Sequence, residues 1–209
     1  FPCPATSSMN FNQARFLISA AETRGCPPDT GYEVAFVGRS NAGKSRAINR
    51  LCARRALART SATPGRTRLL NFFALDEEAR MRLVDLPGYG YAKAPKAEQA
   101  RWAELIESYL ATRVSLTGLV LLADSRLALK PADEQLLGWT RASELPTLVL
   151  LTKADKLNRN AQSRAVATVR SRLPSNADTL AFSAVSDLGL TAARDWVAAH
   201  LQPPGSLSD

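Results

Sequence analysis

One histidine and three cysteines in 209 residues leave little material for several kinds of chemistry. His200 stands alone near the C-terminal end, so neither a Ser-His-Asp hydrolase nor a multi-histidine metal centre can be assembled. Cys3, Cys26 and Cys52 are odd in number and contain no C-x-x-C pair. That argues against a disulfide framework or a zinc site and suits a reducing, cytoplasmic compartment. No apolar run approaches the ~20 residues that cross a bilayer. Phe1 to Phe16 lacks the basic and apolar regions of a signal peptide. Acidic residues are in deficit, 19 against 27 Lys and Arg, for a formal net charge of +8. Such a surplus implies an anionic partner. Internal repeats and low-complexity blocks are absent too. The length supports one good hydrophobic core and not two large domains. Residues 1–10 and 202–209 read as frayed ends around a single domain at 11–201.

What is present is an alternation of short apolar runs with helical patterns. Strands are expected at 32–38 (YEVAFVG), 118–124 (GLVLLAD), 146–152 (PTLVLLT) and 179–184 (TLAFSA). RLLNFFAL (68–75) and MRLVDL (81–86) flank the turn-like DEEA, a hairpin that makes one strand antiparallel. Helices are expected over 43–54, 96–113, 131–142, 161–173 and 190–201. The second carries Trp102, Leu105, Ile106, Tyr109 and Leu110 on one side. This pattern predicts a three-layer α/β fold, a mostly parallel sheet of about six strands with one antiparallel member and helices on both faces. Arg46, Arg50 and Arg54 recur every four residues, with Arg55, Arg59, Arg66 and Arg68 close behind. On a helix over 43–54 the first three form a basic stripe.

GRSNAGKS (Gly38, Arg39, Ser40, Asn41, Ala42, Gly43, Lys44, Ser45) fits G-x-x-x-x-G-K-[ST] between a predicted strand and a predicted helix. The glycines let the backbone curl so that its N–H groups face phosphate oxygens, reinforced by the helix N-terminus. Lys44 supplies a cation to the β- and γ-phosphates, and the Ser45 hydroxyl can ligate magnesium. DLPG (Asp85, Leu86, Pro87, Gly88) ends a strand. Its carboxylate can hold magnesium through water, and the Gly88 N–H can reach the γ-phosphate. TKAD (Thr152, Lys153, Ala154, Asp155) ends another strand. Asp155 offers two oxygens to paired donors, matching the N1–H and 2-amino group of guanine, a pair that adenine lacks. Lys153 can lay its methylene stem along the base. FSA (Phe182, Ser183, Ala184) ends the last strand, where a backbone N–H can contact the guanine O6. In TSATPGRTRLL a threonine hydroxyl can complete magnesium's oxygen shell. Thr60, Thr63 and Thr67 compete for that role on the residues alone.

GRSNAGKS, TPGRT, DLPGYGYA and TKADKL, in this order and spacing, resemble the EngB (YihA/YsxC) family in the Era-like group of P-loop GTPases. The likeness runs from about Asn10 to Leu201. It implies magnesium-dependent hydrolysis of GTP to GDP. Thr67 would be the magnesium threonine, Gly65, Arg66, Thr67, Arg68 and Leu69 would belong to the first switch, and Asp85 to Gly88 would open the second. It also implies a cytoplasmic monomer that acts in assembly of the large ribosomal subunit or its precursor, meeting rRNA, and in normal cell division and septation. Neither DNA nor a membrane is an expected partner. Arg46 departs from the family, where a small residue is usual.

Tyr89 follows Gly88, where Ras-type GTPases carry the glutamine that orients the attacking water. Another group must orient it here. Relatives with an asparagine at the position of Asn41 bind potassium beside the phosphates, where an arginine finger otherwise neutralises developing charge. Asn41 therefore joins Lys44 and Thr67 as a catalytic candidate, with Arg66 a rival source of charge. The alternative is a nucleotide-gated scaffold on RNA or membrane without functional hydrolysis. No RRM or KH motif is recognisable, so RNA contact is expected at phosphates rather than bases.

Overall fold

The computed structural model describes residues 9–58, 69–89, 95–127 and 129–202. Its strands are β1 (Arg15–Ala20), β2 (Tyr32–Gly38), β3 (Leu70–Ala74), β4 (Met81–Asp85), β5 (Leu116–Asp124), β6 (Thr147–Thr152) and β7 (Ala177–Ala181). The helices are α1 (Lys44–Leu51), α2 (Lys96–Thr112), α3 (Pro131–Ala142), α4 (Arg159–Arg170) and α5 (Leu190–Ala199). The strands form one sheet in the order β1-β3-β4-β2-β5-β6-β7. Only β3 runs against its neighbours. Every other pairing is parallel.

Alternation along the central strands makes the two faces. Ala35 and Val37 of β2 turn toward a core shared with Ile106 and Tyr109 of α2, Leu136 and Leu137 of α3, and Val169 of α4. Val34 and Phe36 turn the other way, toward Ala47, Ile48 and Leu51 of α1 and Ala193 and Val197 of α5. A strand buried on both sides reads as a continuous apolar run, as VAFV and LVLL do. The three-layer α/β expectation holds.

Two expectations need correction. The sheet has seven strands instead of about six, because β1 adds an edge beside β3. Phe16, Leu17 and Ile18 are all more than a third exposed, and a bulge interrupts the pairing between Phe16 and Ile18. RFLISA has no alternation to announce a strand; pairing with β3 makes it one. The helix expected over 43–54 stops at Leu51. Ala53 adopts φ 48°, outside the helical region. The buried Asn49 folds the following loop back, donating to the Ala58 carbonyl (2.9 Å) and accepting from its N–H (2.7 Å). Arg54 therefore lies beyond the helix and donates to the Ala14 carbonyl, while Arg50 is paired with Asp187. The basic stripe is cut to Arg46 and Arg50 on α1; Arg46, Arg54 and Arg55 are exposed.

At the edge where the parallel strands begin, Glu33 is fully buried. Its carboxylate accepts from Arg82 Nε (2.7 Å), Tyr109 Oη (2.6 Å) and Arg113 Nε and NH2 (2.9 and 2.7 Å). This network ties β2, β4 and the end of α2 together. Breaking such a buried pair on one side costs about 3–5 kcal/mol. Among the described residues no helix is long and apolar enough to cross a membrane.

Candidate functional site

Five adjacent strands, β4, β2, β5, β6 and β7, end at one edge of the sheet. Parallel strands bring their C-terminal ends to the same side, so motifs far apart in the chain become neighbours there.

The loop from Gly38 to Lys44 joins β2 to α1. Gly38 has no room for a side chain: an added Cβ would stand 2.7 Å from the Leu122 carbonyl oxygen. Gly43 takes φ 94° and Asn41 φ 66°, a left-handed curl that turns backbone N–H groups outward. The TKAD segment ties this loop down. Thr152 Oγ1 donates to the Ala42 carbonyl (2.6 Å) and Lys153 Nζ to the Asn41 carbonyl (2.9 Å). Thr152 is 3% exposed, so its side chain shapes the loop and does not face the cleft.

Lys153 Nζ also meets Asp124 at 3.0 Å, and Arg126 closes on the same carboxylate at 2.7 Å. The Arg126 hydrogen bond, opposed by burial and aided by Lys153, holds the Asp124 carboxyl far below the usual carboxylate range. A cleft of about 130 Å³ beside the loop is lined by Arg39, Ser40, Asn41, Asp124, Asp133 and Lys153, among others.

On the other side Lys44 Nζ pairs with Asp85, their side chains 11% and 5% exposed. A phosphate has to take Lys44 away from this carboxylate. Of the DLPG residues, Leu86 is core, Pro87 is buried, and Gly88 is exposed. Tyr89 is 5% exposed, its ring centroid 4.8 Å from that of Trp102 and its hydroxyl bonded to Asp133. Burial, and then the Asp133 charge, push the Tyr89 phenol far above its ordinary value, so it stays a donor. A buried phenol engaged in this way does not orient water as the glutamine does.

At the far end Ser183 Oγ donates to Asp155 Oδ1 (2.8 Å). That bond outweighs the cost of desolvation and lowers the Asp155 pKa. Phe182 is core, and its N–H donates to the Leu151 carbonyl; the Ser183 N–H donates to Leu188. Among the described residues, the Ala184 N–H is the one FSA amide without such a partner. Thr60, Thr63, Gly65, Arg66, Thr67 and Arg68 lie outside the described residues; Leu69 is 37% exposed just before β3. Asp124, Asp133 and the orienting role of Ser183 carry no motif. Asp124 had one signal, a carboxylate at a strand's end like Asp85.

A doubly covered, mostly parallel sheet with a glycine-rich loop, Asp85 and TKAD at one edge is the arrangement of P-loop GTPases. A family described as 50S ribosome-binding GTPase matches residues 33–153. The chain is 49% identical over 185 residues to the probable GTP-binding protein EngB of Pasteurella multocida, covering 87% of this chain and 89% of that one. It is 49% identical over 174 residues to the Coxiella burnetii protein of that name (83% and 84%) and 52% over 164 residues to that of an Enterobacter species (78% of each). The chain belongs to the EngB family of GTP-binding proteins and is a GTPase. A crystal structure of a probable GTP-binding protein engB has the same fold, with TM-score 0.67 at 22% identity over 81% of this chain and 98% of that one. An Era variant from Aquifex aeolicus bound to GDP.AlF4- gives 0.66 at 21%, over 86% and 60%.

Proposed function

We propose that this GTPase is a cytoplasmic switch in assembly of the large ribosomal subunit, and that normal septation depends on it. The observation that supports this most is the match of residues 33–153 to a 50S ribosome-binding family. In this reading the ribosomal particle senses which nucleotide is bound. Gly38 to Ser45 cradle the phosphates, with Lys44 against the β- and γ-oxygens, where charge develops. The Gly88 N–H reads the γ-phosphate, and Gly65 to Leu69 are assigned to the first switch. Asp155 takes the N1–H and amino group of guanine, and the Ala184 N–H faces O6.

Ser45 and Thr67 offer hydroxyl oxygens, and Asp85 a carboxylate through water. Among the described residues there is no cluster of three or more His, Cys, Asp or Glu. Few, hard oxygen donors suit magnesium, which keeps several of its waters. When bound, the ion neutralises phosphate charge. Asn41, exposed on the curl of the loop, is the candidate potassium ligand. Hydrolysis is then expected to be faster in potassium than in sodium at equal ionic strength, and Asn41→Ala to erase the difference. Equal rates in the two salts would leave Arg66 as the source of charge.

The test is co-sedimentation with ribosomal particles. Protein loaded with a non-hydrolysable GTP analogue should bind tightly and GDP-loaded protein weakly, with affinity falling steeply in salt through counterion release. Arg46 and Arg55 enter no ion pair among the described residues. Arg46→Ala combined with Arg55→Glu should weaken the association and spare nucleotide binding. Sedimentation indifferent to both nucleotide and salt contradicts the switch.

A further inference from the structure

The Gly88–Tyr89 turn lies directly on the phosphate loop. Ser40 N donates to the Tyr89 carbonyl (2.8 Å), and Tyr89 N to the Gly38 carbonyl (3.3 Å). Arg39 and Tyr89 thereby form an isolated parallel bridge, beyond the last β2–β4 pair, Phe36 with Asp85. The approach is close: a Cβ added at Gly88 would stand 3.3 Å from the Gly38 oxygen and 3.7 Å from Ser40 N. The turn and the loop are in direct contact in this position, with no space between them.

Two helices hold the turn there from the outside. Trp102 of α2 donates its indole N–H to the Pro87 carbonyl (2.8 Å) and packs on the Tyr89 ring. Asp133, 2% exposed in the first turn of α3, accepts the Tyr89 hydroxyl on one oxygen. Its other oxygen accepts from Lys130 N (2.7 Å), which caps the helix. Asp133 is thus fixed by α3 before it meets Tyr89, and a buried donor with a single acceptor is costly to release.

We infer that Asp133 is a positioning residue for the nucleotide cycle: acting through the Tyr89 hydroxyl, it holds the Gly88–Tyr89 turn against Gly38 and Ser40, a position that favours GDP over GTP. A third phosphate must displace the turn before the Gly88 N–H can read it. GDP makes no such demand. A ligand shifts an equilibrium only by its differential affinity for the two positions, so weakening the hold raises affinity for GTP and leaves that for GDP nearly unchanged. The inference rests on guanine-nucleotide binding and needs no ribosomal partner.

Calorimetric titration of the whole chain with GDP and with a non-hydrolysable GTP analogue tests it. Tyr89→Phe removes one oxygen and keeps the ring on Trp102. The ratio of analogue to GDP affinity should rise roughly tenfold, the scale of one buried hydrogen bond to a charged acceptor. Asp133→Ala should raise it similarly, and the double variant no further, because both act on one contact. A merely structural role would lower the melting temperature and weaken both nucleotides alike. An unchanged ratio, a shift toward GDP, or additive effects in the double variant would each overturn the inference. Wild-type titrations in the same series test nucleotide binding separately.

Discussion

Asp155→Asn is expected to lose GTP and gain xanthine nucleotides. The carboxylate at Asp155 accepts on one oxygen from Ser183 (2.8 Å) and is held below its ordinary pKa. It is therefore an acceptor on both oxygens at neutral pH, with its direction set by the last strand's loop. Guanine presents two donors to it. An asparagine replaces one acceptor by a donor, which faces the 2-amino group and is met instead by the 2-oxo group of xanthine. Losing a charge-assisted pair and leaving its partner unsatisfied costs about 3–5 kcal/mol, so GTP affinity should fall by roughly a hundredfold or more. Because the folded pKa is depressed, the carboxylate that binds guanine persists as pH falls toward the ordinary carboxyl range, so protonation of Asp155 should cost no base recognition between neutral pH and about pH 5. Competitive titration with GTP, XTP and ATP decides the matter. Unaltered GTP binding in the variant would remove Asp155 from base recognition.

Lys44→Ala should abolish nucleotide binding and also destabilise the protein. The second effect follows from the Lys44–Asp85 pair, whose side chains are 11% and 5% exposed. Removing the cation leaves a buried carboxylate without its partner, at a cost of about 3 kcal/mol. Asp85→Asn in the same chain should recover most of that loss, since no charge is then stranded. It should not recover nucleotide binding, because the cation for the phosphates is still missing. Urea denaturation without ligand and nucleotide titration on the same three proteins separate the two effects. If Lys44→Ala unfolds at the wild-type midpoint, the pair contributes nothing. If the double variant binds GTP normally, Lys44 is no phosphate ligand.

Legibility differs sharply between parts of this site. GRSNAGKS is readable because its curl depends on residues in one short stretch: Gly43 can take φ 94° for reasons of local geometry. DLPG and TKAD are readable because each closes an apolar run, and a parallel sheet gathers such ends. The partners that hold these motifs are not readable in this way. Lys153 reaches Asn41 across 112 positions, and Tyr89 reaches Asp133 across 44. Neither spacing has a period, and an aspartate three residues into a helix is by default only a cap. The question raised by Tyr89 in the glutamine's place has its answer in the packing of α2 and α3.

The residues by themselves determined the alternation of strand and helix, the phosphate loop, the strand-end carboxylates and the family, all of which rest on contiguous patterns. The tertiary structure decided what depends on partners distant in the chain. It made an edge strand of Arg15–Ala20 by pairing it with β3. It ended α1 at Leu51, where Asn49 bonds the following loop, and so took Arg54 off the face that Arg46 and Arg50 still share. It also turned Tyr89 inward, onto Trp102 and Asp133. Periodicity reports which face of an element is apolar. Which polar atom meets which, once those faces are buried, is set by the packing of the whole chain.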